Sequence, residues 1–380
     1  MTSISRARRL LALSLAVLSP ACGSPSAPRR DAGAATDAAA SGGCAEDLMA
    51  CAYPALRLET TCRDEAGLPA SARPMDRSAP SATYHRTVPL RVCHPVGGGP
   101  YPFVLFEHGG GLRAGGQNES VAWARVIASQ GYVVVRVGHP EADATSAAAL
   151  CAASGASVDA CTADPEIVHT VARPTDLVAA LDALPDVAAA LTAAGRPTGD
   201  PSRVALAGWS GGTQGPAALF GAVREVAPGA RYTLTDARPL AIALLSPSGP
   251  GFHHFFERGA DHSWVQLRGP VLVLTGENDV KPDLPELTGP LRRRPHELAP
   301  ADGSRRLLYS RLPVGVGGHG TFNLGDAESP DPRLVRLSAA IASTLLAFLD
   351  AQVKHDAAAA AYLASDRPRL LAGDADYLTR

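Results

Sequence analysis

Lysine is nearly absent from this chain of 380 residues, which contains only Lys281 and Lys354. The formal net charge is −2, so the chain has no excess of basic charge that would attract nucleic acid. The short basic run at 292–294 is expected to be a solvated loop. The chain also lacks the GxxxxGKS/T pattern of phosphate loops and any CxxC pair of the kind that holds zinc. These absences exclude nucleic acid as a partner, and they give no reason to expect a bound metal or cofactor.

A long hydrophobic run is also missing from the N-terminus, where the apolar stretch at residues 10–18 is too short to span a bilayer. Arginines precede this stretch and Cys22 follows it, an order that resembles a bacterial lipoprotein signal. We therefore expect residues 1–22 to be an export signal and Cys22 to be lipidated; the alternative is an ordinary cleaved signal. Residues 23–43 are small, polar and rich in proline and glycine, which is typical of a disordered tether.

The cysteines fit an exported chain. Six remain once Cys22 is set aside, at positions 44, 51, 62, 93, 151 and 161. An even number in an exported protein predicts three disulfides, and the sequence does not choose among the connectivities. The pair that we expect is Cys151–Cys161, because both residues lie in one loop rich in glycine, alanine and serine, far from the other four.

From about residue 84 onward, apolar strand-like runs alternate with helix-like segments. The strands are predicted within residues 84–95, 101–111, 132–140, 204–207, 239–250, 269–279 and 305–313. Helices are predicted at 119–129, at 174–184, where Pro174 opens the first turn, and from 332 to about 351. Continuous apolar strands alternating with helices are typical of an α/β fold with a mostly parallel sheet covered on both faces. We assign one domain to residues 44–380.

The pentapeptide GWSGG, residues 208–212, follows a short apolar run and precedes a helix-compatible segment. GxSxG at a strand-to-helix turn is the pattern of a nucleophile elbow, in which flanking glycines allow close packing and the serine oxygen is lifted above the sheet. Ser210 is therefore the candidate nucleophile. The alternative is a plain glycine-rich turn, and the deciding question is whether the chain also supplies an oxyanion hole, an acid and a histidine.

Glycines after another predicted strand supply the candidate oxyanion hole. His108 and three glycines follow the strand at 101–107 and resemble the HGGG loop of esterases. Backbone amides of such a loop face a developing oxyanion with no side chain in the way. We expect the donors to be the amides of Gly110 and Gly211.

The remaining catalytic candidates follow the later strands. Asp279 is the expected acid, with Glu277 as its rival, and His319 lies between glycines after the last predicted strand. The order Ser210, Asp279, His319 is that of the serine, acid and histidine in α/β-hydrolases. In such a set the histidine takes the serine proton and the acid fixes the imidazole tautomer.

The chain resembles the branch of α/β-hydrolases that contains platelet-activating-factor acetylhydrolase, chlorophyllase and the predicted dienelactone-hydrolase lipoproteins of bacteria. The segments that carry the resemblance are YPFVLFEHGGG, IASQGYVVVRVGHP, RPTDLVAALDAL, RVALAGWSGG, LSPSGPGF and PVLVLTGENDV, within about residues 84–325. GWSGG and ENDV are also similar to cutinase-like polyesterases. True dienelactone hydrolases carry a cysteine nucleophile, and this chain has Ser210 in that place.

The segment at 251–264 follows a strand and is expected to overhang the site as a cap or wall. Its aromatic residues, together with Trp209, are the candidates for an apolar substrate pocket: Phe252, Phe255, Phe256 and Trp264. The polar residues of the segment, His253, Glu257, Asp261 and His262, could form a metal set, but an exposed polar cap explains them equally well. Arg173 and Asp176 are interpreted as structural, with Asp176 near a helix N-terminus.

These observations predict a serine esterase that cleaves a carboxylic ester through an acyl-enzyme, without a cofactor or metal. The expected substrate is a small-molecule or lipid ester, and the expected state is an exported monomer that touches the membrane only through its N-terminal lipid; a periplasmic or secreted protein is the alternative. Two functional alternatives remain open. One is a polyesterase or peptidase that uses the same triad, and the other is an inactive hydrolase fold that serves as a surface binding protein.

Overall fold

The computed structural model describes Cys44 and residues 47–65, 67–255, 263–281 and 283–380. The predicted signal, the tether, Cys22 and Phe256 lie outside these residues, as do Glu257, Asp261 and His262 of the conceivable metal set.

A single large sheet dominates the fold. Its strands, with the small hairpin β6–β7, are β1 (Met75–Ser81), β2 (Arg86–Cys93), β3 (Tyr101–Glu107), β4 (Val133–Val137), β5 (Gly199–Trp209), β6 (Arg224–Ala227), β7 (Ala230–Tyr232), β8 (Pro239–Leu245), β9 (Val271–Gly276), β10 (Arg305–Ser310) and β11 (Ala375–Thr379). Nine of them form the sheet in the order β1-β2-β4-β3-β5-β8-β9-β10-β11. The pairings from β4 through β10 are parallel, and β1, β2 and β11 pair antiparallel toward the edges.

Helices cover both faces of the sheet. They are α1 (Val121–Ser129), α2 (Ala144–Ser154), α3 (Val158–Ala163), α4 (Pro165–Asp182), α5 (Leu184–Ala193), α6 (Gln214–Leu219), α7 (Gly289–Arg292), α8 (Arg294–Leu298), α9 (Pro332–Val353), α10 (Ala357–Ala364) and α11 (Arg367–Ala372). One apolar core lies between the sheet and α1, α9, α10 and α11, and a second lies between the sheet and α4, α5 and α6. Strands buried from both sides explain the continuous apolar runs of the sequence. The predicted α/β architecture with a mostly parallel sheet is confirmed.

Helix α9 is the one helix of the described residues that is long and apolar enough to cross a membrane. Its most apolar window is 67% buried inside the protein, against the sheet and its neighbouring helices. The apolar character of α9 is therefore accounted for by core packing.

Helix α4 begins earlier than the sequence predicts. Pro174 lies in the middle of an 18-residue helix that starts at Pro165, and it does not open the first turn. A proline at this position removes one backbone hydrogen bond. The Thr175 hydroxyl donates to the carbonyls of Val171 and Ala172 at 3.1 and 2.9 Å, which adds local bonds to the helix at the point where the proline interrupts it.

Two disulfides are present, Cys44–Cys51 and Cys151–Cys161. The predicted Cys151–Cys161 bond is confirmed, although the surrounding segment forms α2 and α3 where the sequence predicts a loop. Cys62 and Cys93 are buried free thiols that lie close enough to hydrogen bond, and burial followed by this neighbour raises the pKa of Cys62 well above its usual value. Disulfides are consistent with an exported protein.

Candidate active site

Ser210 lies at the end of β5, where the strand turns into a 3₁₀ turn (Ser210–Thr213) and then into α6. Its φ angle of 56° is in the left-handed region, which is strained for a residue with a side chain. Gly208 and Gly212 make this turn possible, because a Cβ on Gly208 would lie 1.9 Å from the carbonyl oxygen of Gly212. A serine held in a strained turn at the carboxyl end of a parallel strand is the geometry expected of a nucleophile elbow.

A continuous hydrogen-bonded chain joins Ser210 to His319 and Asp279. The His319 Nε2 atom lies 2.8 Å from the Ser210 hydroxyl, and its Nδ1 atom lies 2.7 Å from Oδ1 of Asp279. Asp279 is almost fully buried and His319 is 8% exposed, so a reactant can approach this hydrogen-bonded series only at its serine end. This arrangement can move a proton from the hydroxyl to an imidazole whose tautomer is fixed by a carboxylate.

Asp279 is held by donors on every side. Its Oδ2 atom accepts from the hydroxyls of Ser246 at 2.6 Å and Thr275 at 2.7 Å, while Arg292 Nε lies 3.2 Å from Oδ1 and donates to the Asp279 carbonyl. The sequence predicts a solvated loop at 292–294, yet Arg292 is 1% exposed at the end of α7. Its buried position is explained by these bonds and by its bonds to the carbonyls after β8.

Glu277 points away from the histidine. Its carboxylate accepts a 2.7 Å hydrogen bond from the Tyr309 hydroxyl on β10, and burial together with this carboxylate raises the pKa of Tyr309. Of the two acids weighed in the sequence, the structure therefore brings Asp279, and not Glu277, to His319.

The HGGG loop lies directly against the serine turn. A Cβ on Gly211 would lie 3.2 Å from the Gly110 nitrogen, and one on Gly109 would lie 3.3 Å from the Ser210 Cβ. Within the described residues, neither the Gly110 nor the Gly211 amide has a hydrogen-bond acceptor. Two unpaired amides next to a candidate nucleophile are suited to stabilising an oxyanion.

His108 orients part of this loop as a neutral side chain. Burial, with a further contribution from the Arg173 guanidinium, lowers the pKa of His108 from 6.5 to about 2. A neutral imidazole donates from one nitrogen only. The Nδ1 atom lies 2.7 Å from the carbonyl oxygen of Gly109, which accepts the Nδ1–H hydrogen bond and is thereby held in place.

Beneath the loop lies a buried cluster of charged groups that the sequence does not reveal. His139 lies between two carboxylates, with Nε2 at 3.0 Å from Glu107 and Nδ1 at 3.0 Å from Asp176. Arg86 donates to both oxygens of Asp176 at 2.8 and 3.0 Å. Asp176 therefore lies in the middle of α4 within an ion-pair network, and not near a helix N-terminus as the sequence predicts.

The predicted pocket aromatics divide into two groups. Trp209 is half-buried, and its ring lies 4.9 Å from the His319 ring, while Phe252 is half-buried on the loop after β8. Phe255 and Trp264 differ from the prediction: they stack at 4.8 Å in the core, with the Arg224 guanidinium 3.7 Å above the Phe255 ring. Their apolar surface is already used by core packing, so they do not offer a pocket wall.

A cavity of about 470 Å³ opens beside the HGGG loop. Its lining includes Gly111 of that loop and the adjoining Leu112, apolar residues of α4, and the polar groups Glu166 and His169. Cys161 also contributes, so the Cys151–Cys161 disulfide lies in the cavity wall. This cavity is adjacent to the candidate oxyanion loop and is of the size that small-molecule sites take.

His253, one of the conceivable metal ligands, joins a different set of residues. Its Nδ1 atom lies 2.9 Å from Glu166, and the same carboxylate oxygen is 3.5 Å from Nδ1 of His169. Ligand atoms at this spacing could surround a metal ion. However, Arg173 Nε donates to Nε2 of His169 at 2.7 Å, which places the proton of the neutral imidazole on Nδ1, facing Glu166. A metal-binding histidine has the opposite arrangement, so hydrogen bonding explains this cluster better.

No protein-family model matches this chain, and no curated protein matches it either. The resemblance to hydrolases therefore rests on the motifs of the sequence and on the geometry of the site. Sequence reasoning missed Arg292, Ser246 and Thr275, which hold Asp279. Thr275 and Ser246 directly follow apolar strand runs, a position that could have identified them.

Proposed function

We propose that this chain is a serine hydrolase of the α/β-hydrolase fold that cleaves carboxylic esters through an acyl-enzyme. The observation that carries the proposal is the hydrogen-bonded chain from the strained Ser210 through His319 to buried Asp279. The three residues lie after β5, β9 and β10, at the carboxyl ends of parallel strands, where ligands bind in open α/β sheets. The order of serine, acid and histidine along the chain adds support.

In the proposed reaction, the Ser210 oxygen attacks the ester carbonyl while His319 Nε2 takes its proton. Negative charge develops on the carbonyl oxygen, where the amides of Gly110 and Gly211 donate to it. His319 then returns the proton to the leaving alcohol, and an acyl-serine remains. Water, activated by the same imidazole, attacks the acyl-serine and releases the acid. Asp279 holds Nδ1–H throughout and so keeps Nε2 facing the serine.

The proposed substrate is a small-molecule or lipid ester. Two features provide apolar surface near Ser210: the Trp209 ring, which lies 4.9 Å from the His319 ring, and the cavity at Gly111 and Leu112 beside the HGGG loop. The resemblance to the branch with platelet-activating-factor acetylhydrolase and chlorophyllase favours the same class of substrate.

Turnover of short p-nitrophenyl esters tests the proposal. The unsubstituted chain should hydrolyse p-nitrophenyl acetate or butyrate, and Ser210→Ala should lose this activity by about 10³-fold or more. Ser202→Ala is the matched control, and its turnover should be unchanged. Ser202 is an exposed residue near the start of β5, and its hydroxyl donates to Asp200. Equal rates in the Ser210→Ala and Ser202→Ala proteins would reduce Ser210 to a serine in a glycine-rich turn.

We also propose that the protein is exported and anchored by lipid on Cys22. The two disulfides are consistent with export, and the sequence before Cys22 resembles a lipoprotein signal. Cys22→Ala should move the protein from the membrane fraction to the soluble fraction. An unsubstituted protein that is already soluble, with its N-terminus elsewhere, would rule out the anchor.

A further inference from the structure

The HGGG loop rests on a buried arginine that the proposed mechanism does not use. Arg173 comes from the middle of α4 and is 0% exposed. A guanidinium can donate in a fixed fork, and burying it is costly unless its donors are satisfied. Burial lowers the pKa of Arg173, and Glu107, whose carboxylate lies 3.8 Å from Nη1, is the nearest compensating charge. Because burying a guanidinium is costly, the position of Arg173 calls for a structural or functional explanation.

The donors of Arg173 contact the HGGG loop on both sides of the peptide that joins Gly109 to Gly110. Nη1 donates to the His108 carbonyl at 3.1 Å, and Nη2 donates to the carbonyls of Gly110 at 2.5 Å and Gly111 at 3.4 Å. The carbonyl between them, on Gly109, is held by the His108 ring. A peptide is planar, so fixing the Gly109 carbonyl also fixes the Gly110 N–H on the opposite edge. The peptide that carries the candidate oxyanion donor is therefore clamped at its own carbonyl and at both neighbouring peptides.

The guanidinium is itself oriented by α4. Arg173 Nε donates to Nε2 of His169, one helical turn earlier, at 2.7 Å. Residues four apart lie on the same face of a helix, so this contact is local and fixes the direction in which the fork points. His169 in turn lies against Glu166, at the wall of the cavity beside the loop.

We propose that Arg173 is a positioning residue that aligns the Gly110 amide with the oxyanion, and that His169 orients Arg173. The inference rests on the proposed esterase function and deepens it. Oxyanion donors matter only when charge develops on the carbonyl oxygen, so a misaligned donor lowers kcat and leaves substrate binding nearly unchanged.

Two substitutions of Arg173 separate the effect of its positive charge from the effect of its forked geometry. Arg173→Met removes the fork and should lower kcat for p-nitrophenyl butyrate by about 10²-fold, with KM within about threefold of the unsubstituted value. Arg173→Lys keeps the charge but cannot bridge several carbonyls, and we expect at least a tenfold loss. Arg305→Met is the matched control. Arg305 is equally buried and donates to the carbonyls of Leu267 and Gly269, before β9 and away from the HGGG loop.

A second readout distinguishes positioning from a merely structural role. Sulfur accepts hydrogen bonds weakly, so the unsubstituted protein should turn over an ester much faster than the matching thionoester, whose carbonyl oxygen is replaced by sulfur. This rate ratio does not depend on the amount of folded protein. It should shrink at least fivefold in Arg173→Met and Arg173→Lys, and it should be unchanged in Arg305→Met.

An unchanged ratio in folded Arg173→Met or Arg173→Lys overturns the positioning role, even if stability falls. If neither variant folds, His169→Phe decides by the same measurement, because it keeps the guanidinium and removes its Nε acceptor, together with the His169 contact to Glu166. A smaller ratio supports the role, and an unchanged ratio overturns it. The esterase proposal itself would be overturned, and the positioning role with it, if the unsubstituted protein neither hydrolysed p-nitrophenyl esters nor formed a covalent adduct with a fluorophosphonate, a reagent that reacts with activated serines.

Discussion

At the scale of residues, two acids that stand two positions apart in one loop have different surroundings. Asp279 accepts hydrogen bonds from His319, Ser246 and Thr275, whereas Glu277 accepts one from Tyr309. The sequence predicts Ser210 and His319 because each stands after a recognisable strand. It favours Asp279 over Glu277, which follows the same strand, because the family resemblance places the acid at Asp279. It could not predict Arg173, since nothing in the local pattern of a helix tells which distant carbonyls a side chain will reach.

Substitution of these acids should have unequal effects. Asp279→Asn should lower ester turnover by ~10³–10⁴-fold, because the amide no longer holds the productive tautomer of His319. Glu277→Gln, the matched change, should cost less than about tenfold. The comparison is made from kcat on p-nitrophenyl butyrate, with circular dichroism to confirm folding. A larger loss in Glu277→Gln would assign the acid role to the other carboxylate.

At the scale of elements, the buried strands were predictable and the edges were not. Strands β3, β4, β5, β8, β9 and β10 each contain a short apolar stretch that is buried in the sheet, so each gave a strong signal. Edge strands β1 and β11 carry mostly polar or half-exposed residues, which gives no comparable pattern. The start of α4 was wrong because Pro174, typical of a first turn, is accommodated inside the helix.

The third disulfide expected from the sequence stays a prediction, and the fold brings together the two cysteines that would form it. Cys62 in the segment before β1 and Cys93 at the end of β2 are buried and in contact as thiols. In the compartment that receives the exported protein, an oxidoreductase with a reactive disulfide would take two electrons and two protons from these thiols as their bond forms, and its own disulfide would be reduced to a dithiol. Peptide mapping of exported, non-reduced protein should recover a Cys62–Cys93 link. Two alkylatable thiols in that sample would contradict it.

At the scale of the whole molecule, burial of polar groups predicts a dependence of stability on pH. Burial is the largest cause that lowers the pKa of His108 to about 2 and of His169 and His296 to about 4, from 6.5. The unfolded chain binds these protons below pH 6.5, while the native state does not. Their contribution to stability is therefore complete above pH 6.5 and is lost as the pH falls toward these lowered values.

We therefore expect the Tm to fall by several degrees between pH 7 and pH 5, with each of these histidines contributing about 1–2 kcal/mol. His296→Leu should reduce this difference between the two pH values, because it removes one such proton from the unfolded state. His355→Asn, at an exposed position with a φ of 56°, is the control and should leave the difference unchanged. An equal or higher Tm at pH 5 would contradict the prediction.

The central claim is that Ser210 is a nucleophile activated by His319, and covalent labelling tests it most directly. A fluorophosphonate should add one phosphonyl group to the full-length protein with loss of fluoride, and peptide mapping should locate the adduct on Ser210. His319→Ala should slow the labelling by orders of magnitude, because the hydroxyl then has no base. An adduct on another residue, or no adduct under conditions that label a known serine esterase, would contradict the account.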